Sequence, residues 1–425
     1  MLRHVLLFCS TISFVDSVSA APADTPKLTL REAIDAALAG NPELAASAYE
    51  IEAQDARTRQ AALTPSIGLG VEAENLLGTG DFDGVDEAEL TLALSSVIEL
   101  GGKADARIAA SRASRDALDT ERMVLQLDVL AEVARRFVDV AAAEQRLDVA
   151  KRSAELSAQT VAGAKRRVDA AKSPHVELDR ALIAMDRTRL EQGRAIAVLD
   201  SARRQLTATW GNAAAAAEAK LENGVYADLF AMPVVGDFAA LRERLTASPD
   251  FLRFASESRV RAAELRVATT LQRPDVTVGI GIRHLQSPDD QAFVGSISIP
   301  LASARRADGH IAEARAKLAL TDAERRVAET KASATLYELV RLLEQAVLEV
   351  DTLKSDVAPR SEEALRETGY AYERGRYSYL ELVDAQREYL SVQDALIASA
   401  TDAHKLQIEV ERLTNASLAA PEERR

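Results

Sequence analysis

Carboxylates three residues apart share one face of a helix, and such a group attracts cations. Glu381 and Asp384 have this spacing, inside AYERGRYSYLELVDAQREYL from Ala371 to Leu390. Much earlier, AAKSPHVELDRALIAM (Ala170 to Met185) carries the same core, apolar-Glu-Leu-x-x-Ala, with Glu177 in the place of Glu381. A solvated helix start is the plainer use of such carboxylates, since negative charge is favourable there. Metal ligation has little support: His175, His284, His310 and His404 form no pair at ligand spacing, and the one cysteine is Cys9. No nucleophile–base pattern, phosphate loop or cofactor motif occurs, which argues against an enzyme.

Each Glu-Leu-x-x-Ala core lies between two long helical stretches. From Gly102 to Ala171 no proline interrupts a helical pattern. Val133, Val140, Leu147, Ala154, Val161 and Val168 recur every seven residues, and three positions after most of them sit the small residues Ala143, Ala150, Ser157, Ala164 and Ala171. Leu178, Met185, Leu199 and Leu206 keep the period on the way back, with Gln192 out of pattern. Leu336, Val340, Leu343, Val347 and Val350, then Leu382, Tyr389, Leu396, Ala403 and Val410, repeat the arrangement. A seven-residue apolar repeat predicts coiled-coil packing. Pro359 predicts a break or offset after Leu353 to Val357.

The chain is therefore a duplication. LREAIDAALAGNPEL (Leu30 to Leu44) is echoed by LRERLTASPDF (Leu241 to Phe251), and each leads through a helix to a proline, Pro65 or Pro274. Alternating runs follow. Ile67, Leu69 and Val71 oppose Gly68, Gly70, Glu72 and Glu74; Leu90, Leu92, Leu94 and Ile98 oppose Glu89, Thr91, Ala93 and Ser95. In the second half Val276, Val278, Ile280 and Ile282 oppose Thr277, Gly279, Gly281 and Arg283; Phe293, Ile297, Ile299 and Leu301 oppose Val294, Ser296 and Ser298. The first repeat covers 21–237, with strands at about 66–76 and 88–100, a hairpin at about 102–210 and a tip at 171–181. The second covers 238–425, with strands at about 275–285 and 291–301, a hairpin at about 304–413 and a tip at 370–386. Runs of about ten residues suit tilted strands crossing a bilayer. Four strands cannot close a barrel, and an open edge in lipid leaves about five N–H and five C=O groups unpaired, each costing several kcal/mol. Two copies would supply eight strands and three copies twelve; the physics does not choose between them.

MLRHVLLFCSTISFVDSVSA reads as a secretory signal over residues 1–20, with Arg3 before an apolar run and small residues at its end. The net charge of −14 disfavours nucleic acid as a partner, and 28% charged with only 4% aromatic residues suits long helices. The Ala-rich segment from Gly211 to Asp237 is expected to pack around the middle of the long helices, as is the terminal TNASLAAPEERR.

The repeat order, the four strands and both tips resemble the TolC-type outer-membrane efflux channels over Leu28 to about Leu413. LTLREAIDAALAGNPELAA, AENLLG, VIELGGKADARIAAS and GRYSYLELVDAQ resemble the CzcC branch, which serves heavy-metal cation exporters. The resemblance implies a mainly α, mixed fold in which a homotrimer builds a 12-stranded transmembrane β-barrel continued by a periplasmic coiled-coil α-barrel. It implies docking on a periplasmic adaptor and an inner-membrane pump of the resistance–nodulation–division type, with outer-membrane lipid around the strands and no cofactor. It implies that Glu381 and Asp384 ring the periplasmic constriction, and that Tyr372 latches the hairpins closed with Glu177 as acidic partner. Glu72, Glu74, Glu89, Thr91, Thr277 and Arg283 would face the barrel lumen. Only Phe82 and Phe293 lie near the strands, fewer aromatics than membrane barrels usually carry. A soluble periplasmic coiled-coil adaptor fits the helices alone, and a duct for drugs or for a type I secreted polypeptide would have the same fold.

Overall fold

The computed structural model describes residues 26–211, 214–287 and 289–415. The expected signal segment with Cys9, and the tail from 416 onward, lie outside them. The elements run α1 (Leu30–Gly40), α2 (Pro42–Ala61), β1 (Gly68–Glu74), β2 (Glu89–Ile98), α3 (Lys103–Asp169), α4 (His175–Thr207), α5 (Ala215–Glu222), α6 (Phe238–Thr246) and α7 (Pro249–Thr270). They continue with β3 (Val276–Leu285), β4 (Asp290–Ser298), α8 (Ser303–Thr352), α9 (Ala358–Glu373) and α10 (Tyr379–Thr414). A π turn over Leu353–Val357 joins α8 to α9 just before Pro359. A proline has no N–H to donate, and the extra residue of a π turn absorbs that gap without ending the helix.

The four strands form one antiparallel sheet in the order β1-β2-β3-β4. The helices form a second layer in matching order. Near the sheet the neighbours are α2, α3, α7 and α8; farther away they are α4, α3, α10 and then α8 with α9. α3 spans both levels, its 67 residues reaching about 100 Å at 1.5 Å each, and the 50-residue α8 also packs at both. Beside α3, α4 and α2 stack end to end. Asn41 caps α2 by accepting from the N–H groups of Glu43 and Leu44, and its Nδ2 donates to the Thr209 carbonyl at the end of α4, 2.8 Å away. The second repeat makes the same junction by charge, Arg412 at the end of α10 meeting Asp250 at the start of α7 at 2.6 Å.

A girdle surrounds these junctions. Leu28 and Val225 form a parallel bridge, and Trp210, 1% exposed, packs among Leu28, Ile34, Val133, Phe137, Leu206 and Leu221. Leu229, in the segment after α5, packs on Val350, Leu396, Ile397 and Ala400 midway along the helices. The half-buried His404 ring turns Nε2 to the Leu229 carbonyl, 3.0 Å away, so Nε2 carries the hydrogen. Burial pushes this imidazole's pKa down, against the Leu229 carbonyl and the Asp228 carboxylate, which pull it up.

The duplication extends to single torsions. Gly102, before α3, has φ 74°, and Ala302, before α8, has φ 61°, so both strand-to-helix corners use the left-handed region. An Ala in that region is strained where a Gly is not. Ala302→Gly should therefore stabilise the protein by about 0.5–1 kcal/mol, read as a raised midpoint of thermal unfolding in detergent. Because the folded pKa of His404 is depressed, the unfolded chain binds the proton first as pH falls. Its contribution is complete above about pH 6.5 and is lost toward the lower folded pKa. His404→Gln should flatten the stability curve in that window, measured as unfolding midpoints from pH 7.5 down to 5.

Candidate functional site

The far end of the helix layer consists of two tips with one backbone design. At the end of α3, Lys172 N donates to the Arg167 carbonyl at 2.8 Å, with Ala171 at φ 56°. At the end of α9, Arg376 N donates to the Ala371 carbonyl at 2.9 Å, with Gly375 at φ 71°. Both are six-to-one closures with a left-handed residue, the Schellman arrangement. Each return helix then carries a glutamate at its third position, Glu177 in α4 and Glu381 in α10.

The two glutamates differ because of the residue before their helix. Ser378 caps α10: its hydroxyl accepts from Glu381 N, and Ser378 N donates back to Glu381 Oε2 at 2.6 Å, a reciprocal capping box. That backbone hydrogen bond lowers the Glu381 pKa. The matching cap of α4 is Pro174, which has neither a hydroxyl nor an N–H, so Glu177 has no box to close. It accepts instead from the hydroxyl of Tyr372, 2.6 Å from its Oε1.

Tyr372 is 2% exposed, wedged from α9 among Ala164, Ala181, Tyr379 and Leu382. Gly163 of α3 lies under its ring, where an added Cβ would come 3.5 Å from Cε1. The Arg167 guanidinium lies 4.7 Å from the ring centroid, donates to the Tyr372 carbonyl at 2.8 Å and stands 3.7 Å from Glu177 Oε1. Burial first, then the bond to the Glu177 carboxylate, push the phenol pKa up, so the hydroxyl stays a donor. Gln386 Nε2 adds a tie from α10 to Thr160 Oγ1 of α3 at 2.8 Å. Glu177 and Tyr372 are thus brought together, while Glu381 and Asp384 stay exposed on the outer turn of α10. Sequence reasoning missed Arg167 and Gln386. Arg167 sits in the run Lys165-Arg166-Arg167 at a helix end, where basic residues are expected for the dipole alone.

At the opposite end, the sheet has one apolar and one polar face. Leu69, Val71, Leu92, Ile280, Phe293 and Ile297 are each more than half exposed and lie in cross-strand rows, such as Val71–Leu92–Ile282–Phe293. The other face carries the row Glu72–Thr91–Arg283–Ala292, and beside it Glu74–Glu89–Leu285–Asp290. Thr277 lies on this face toward the helices, opposite Val97 and Ser298. Arg283 donates to Glu89 Oε2 at 2.6 Å and to Thr91 Oγ1 at 2.9 Å, and its Nη2 lies 2.8 Å from Glu74 Oε2 without hydrogen-bond geometry. Two of the three glutamates expected on this face are therefore charge-compensated. Among the described residues no three His, Cys, Asp or Glu side chains converge as metal ligands, and no helix is long and apolar enough to cross a membrane.

Residues 33–212 match the family described as outer membrane efflux protein. The cobalt-zinc-cadmium resistance protein CzcC of Cupriavidus metallidurans is 30% identical over 361 residues, 85% of this chain and 83% of that protein. Among solved structures, a membrane protein from Pseudomonas aeruginosa superposes with a TM-score of 0.74 at 19% identity, covering 97% of this chain and 99% of that one. The outer membrane protein VceC from Vibrio cholerae gives 0.70 at 17% identity, covering 92% and 96%. CusC, a transmembrane channel, gives 0.70 at 16% identity, covering 94% and 95%. The chain belongs to the outer membrane efflux protein family: it is an outer-membrane duct component whose four strands are its share of a β-barrel and whose long helices are its share of a coiled-coil tunnel.

Proposed function

We propose that three copies of this chain form the passive exit duct of a tripartite efflux system for divalent heavy-metal cations. The observation that carries the assembly is that both layers end at the same two edges. β1 continues into the flank of α2 and α4; β4 continues into the flank of α8 and α9. One head-to-tail contact between copies closes the sheet edge and the helix edge together. Twelve strands in a closed cylinder satisfy the backbone groups that a lone four-stranded sheet would leave open in lipid. The cargo reading comes from the similarity to CzcC, a cobalt-zinc-cadmium resistance protein. Selection of the metal then belongs to the inner-membrane pump of the resistance–nodulation–division type, delivered through a periplasmic adaptor. The chain supplies a path and no chemical step.

In this reading the tips are the periplasmic gate. The Tyr372–Glu177 bond, backed by Arg167, holds α9 and α10 against α3 and α4 and keeps the mouth narrow. The exposed Glu381 and Asp384 of three copies surround that mouth and concentrate cations there. Glu72, Glu74, Glu89, Thr91, Thr277 and Arg283 line the barrel, with the apolar rows turned to lipid.

Purified protein in planar bilayers tests both parts. The wild type should form small-conductance pores from a trimer, and a monomer that forms none would overturn the duct. Tyr372→Phe removes a hydrogen bond to a charged group, a loss of about 1.5–3 kcal/mol, and should raise mean conductance or open probability several-fold. Separately, Glu381→Ala with Asp384→Ala should lower the cation-to-anion permeability ratio and weaken block by divalent cations from the tip side. Unchanged selectivity and block would exclude these carboxylates from the gate.

A further inference from the structure

The four strands contain one Arg and no Lys. Arg283 stands on the polar face with Glu72, Glu74, Glu89 and Asp290. Glu74 and Glu89 are direct cross-strand partners, the last and first residues of β1 and β2. They sit at the hairpin end of the sheet, away from the helices. Like charges in that relation repel. Arg283 reaches from β3 across Thr91 to both carboxylates, touching Glu89 Oε2 at 2.6 Å and Glu74 Oε2 at 2.8 Å, with Thr91 Oγ1 at 2.9 Å fixing its Nε. Thr91 is 4% exposed, while the Arg283 side chain remains 29% exposed. Asn75 Nδ2 also donates to Glu89 Oε1, at 3.2 Å.

A duct that conducts divalent cations gains nothing from binding them. Two adjacent free carboxylates form an oxygen-donor pair of the kind divalent ions take up. A guanidinium placed between them fills the donor positions and remains charged at every working pH. We infer that Arg283 is a specificity-determining residue of the exit: by occupying Glu74 and Glu89 it keeps the outer end of the passage from retaining the divalent cations it releases. The inference rests on the polar face being the lumen. Glu72 remains without this compensation, so the wall keeps a cation-attracting potential without a two-carboxylate trap.

Zinc ion added to each side of a planar bilayer holding the purified full chain tests this. Arg283→Gln should produce block from the hairpin-end side at a Zn2+ concentration at least about tenfold below that for the wild type. Glu74→Gln and Glu89→Gln added to Arg283→Gln should abolish the gained block. Arg283→Lys, which keeps the charge but lacks the planar fork that reaches Thr91, Glu89 and Glu74 from separate nitrogens, should give a smaller gain and serves if Arg283→Gln does not insert. A Zn2+ response unchanged in both Arg283 variants overturns the proposal. Thr277→Cys in a Cys9→Ser background, treated with a membrane-impermeant sulfonated thiol reagent, separates the two levels. A changed current keeps the lumen reading whatever Arg283 does; an unchanged current overturns the lumen reading and the proposal with it.

Discussion

Backbone N–H and C=O groups find no water in hydrocarbon, so a strand in a bilayer must be paired on both sides. In a single chain β1 and β4 are each paired on one side only. Everything else in the architecture is consistent with meeting that requirement between copies. The repeats supply two hairpins each with its own helical pair, and β2 pairs with β3 to join them into one sheet. The helix order repeats the strand order, so the membrane and periplasmic layers carry the same open flanks. The corners at Gly102 and Ala302 let each strand pass into its helix, and salt bridges such as Lys103 to Asp275 at 2.7 Å brace the transition.

Duplication also shows how one fold element acquires two roles. Both tips close with the same backbone bonds, and both return helices offer a glutamate one turn in. A serine before one helix engages its glutamate locally; a proline before the other leaves its glutamate for a partner across the bundle. The difference of one capping residue therefore decides which carboxylate joins the hairpins and which remains at the water-facing turn.

Much of this was legible in the residues. Strand faces follow from period-two alternation, as with Val71, Leu92, Ile282 and Phe293 on one side, and the coiled-coil seam follows from the sevenfold repeat of Val133 and Val140. Tyr372 and Glu177 could be named through the family likeness, but their contact needs two helices brought side by side. Arg283 is visible as a polar-face residue, yet its reach over two strands depends on register and rotamer. The stacking of α4 under α2 was not legible, since the Asn41 bond to Thr209 joins positions 168 residues apart. The capping box of Glu381 was legible as a local pattern, Ser-x-x-Glu, in keeping with a solvated helix start.

The π turn at Leu353–Val357 has a mechanical meaning. One added residue advances a helix by about 100°, so α9 runs out of phase with α8. Above the turn Leu336, Val340, Leu343 and Val350 point inward; below it Ser361 and Tyr372 do. The tip is thus geared separately from the shaft. Tyr372 therefore meets α3 and α4 in a phase set by that one turn: at ordinary α pitch throughout, a different face of α9 would be turned toward Gly163 and Glu177.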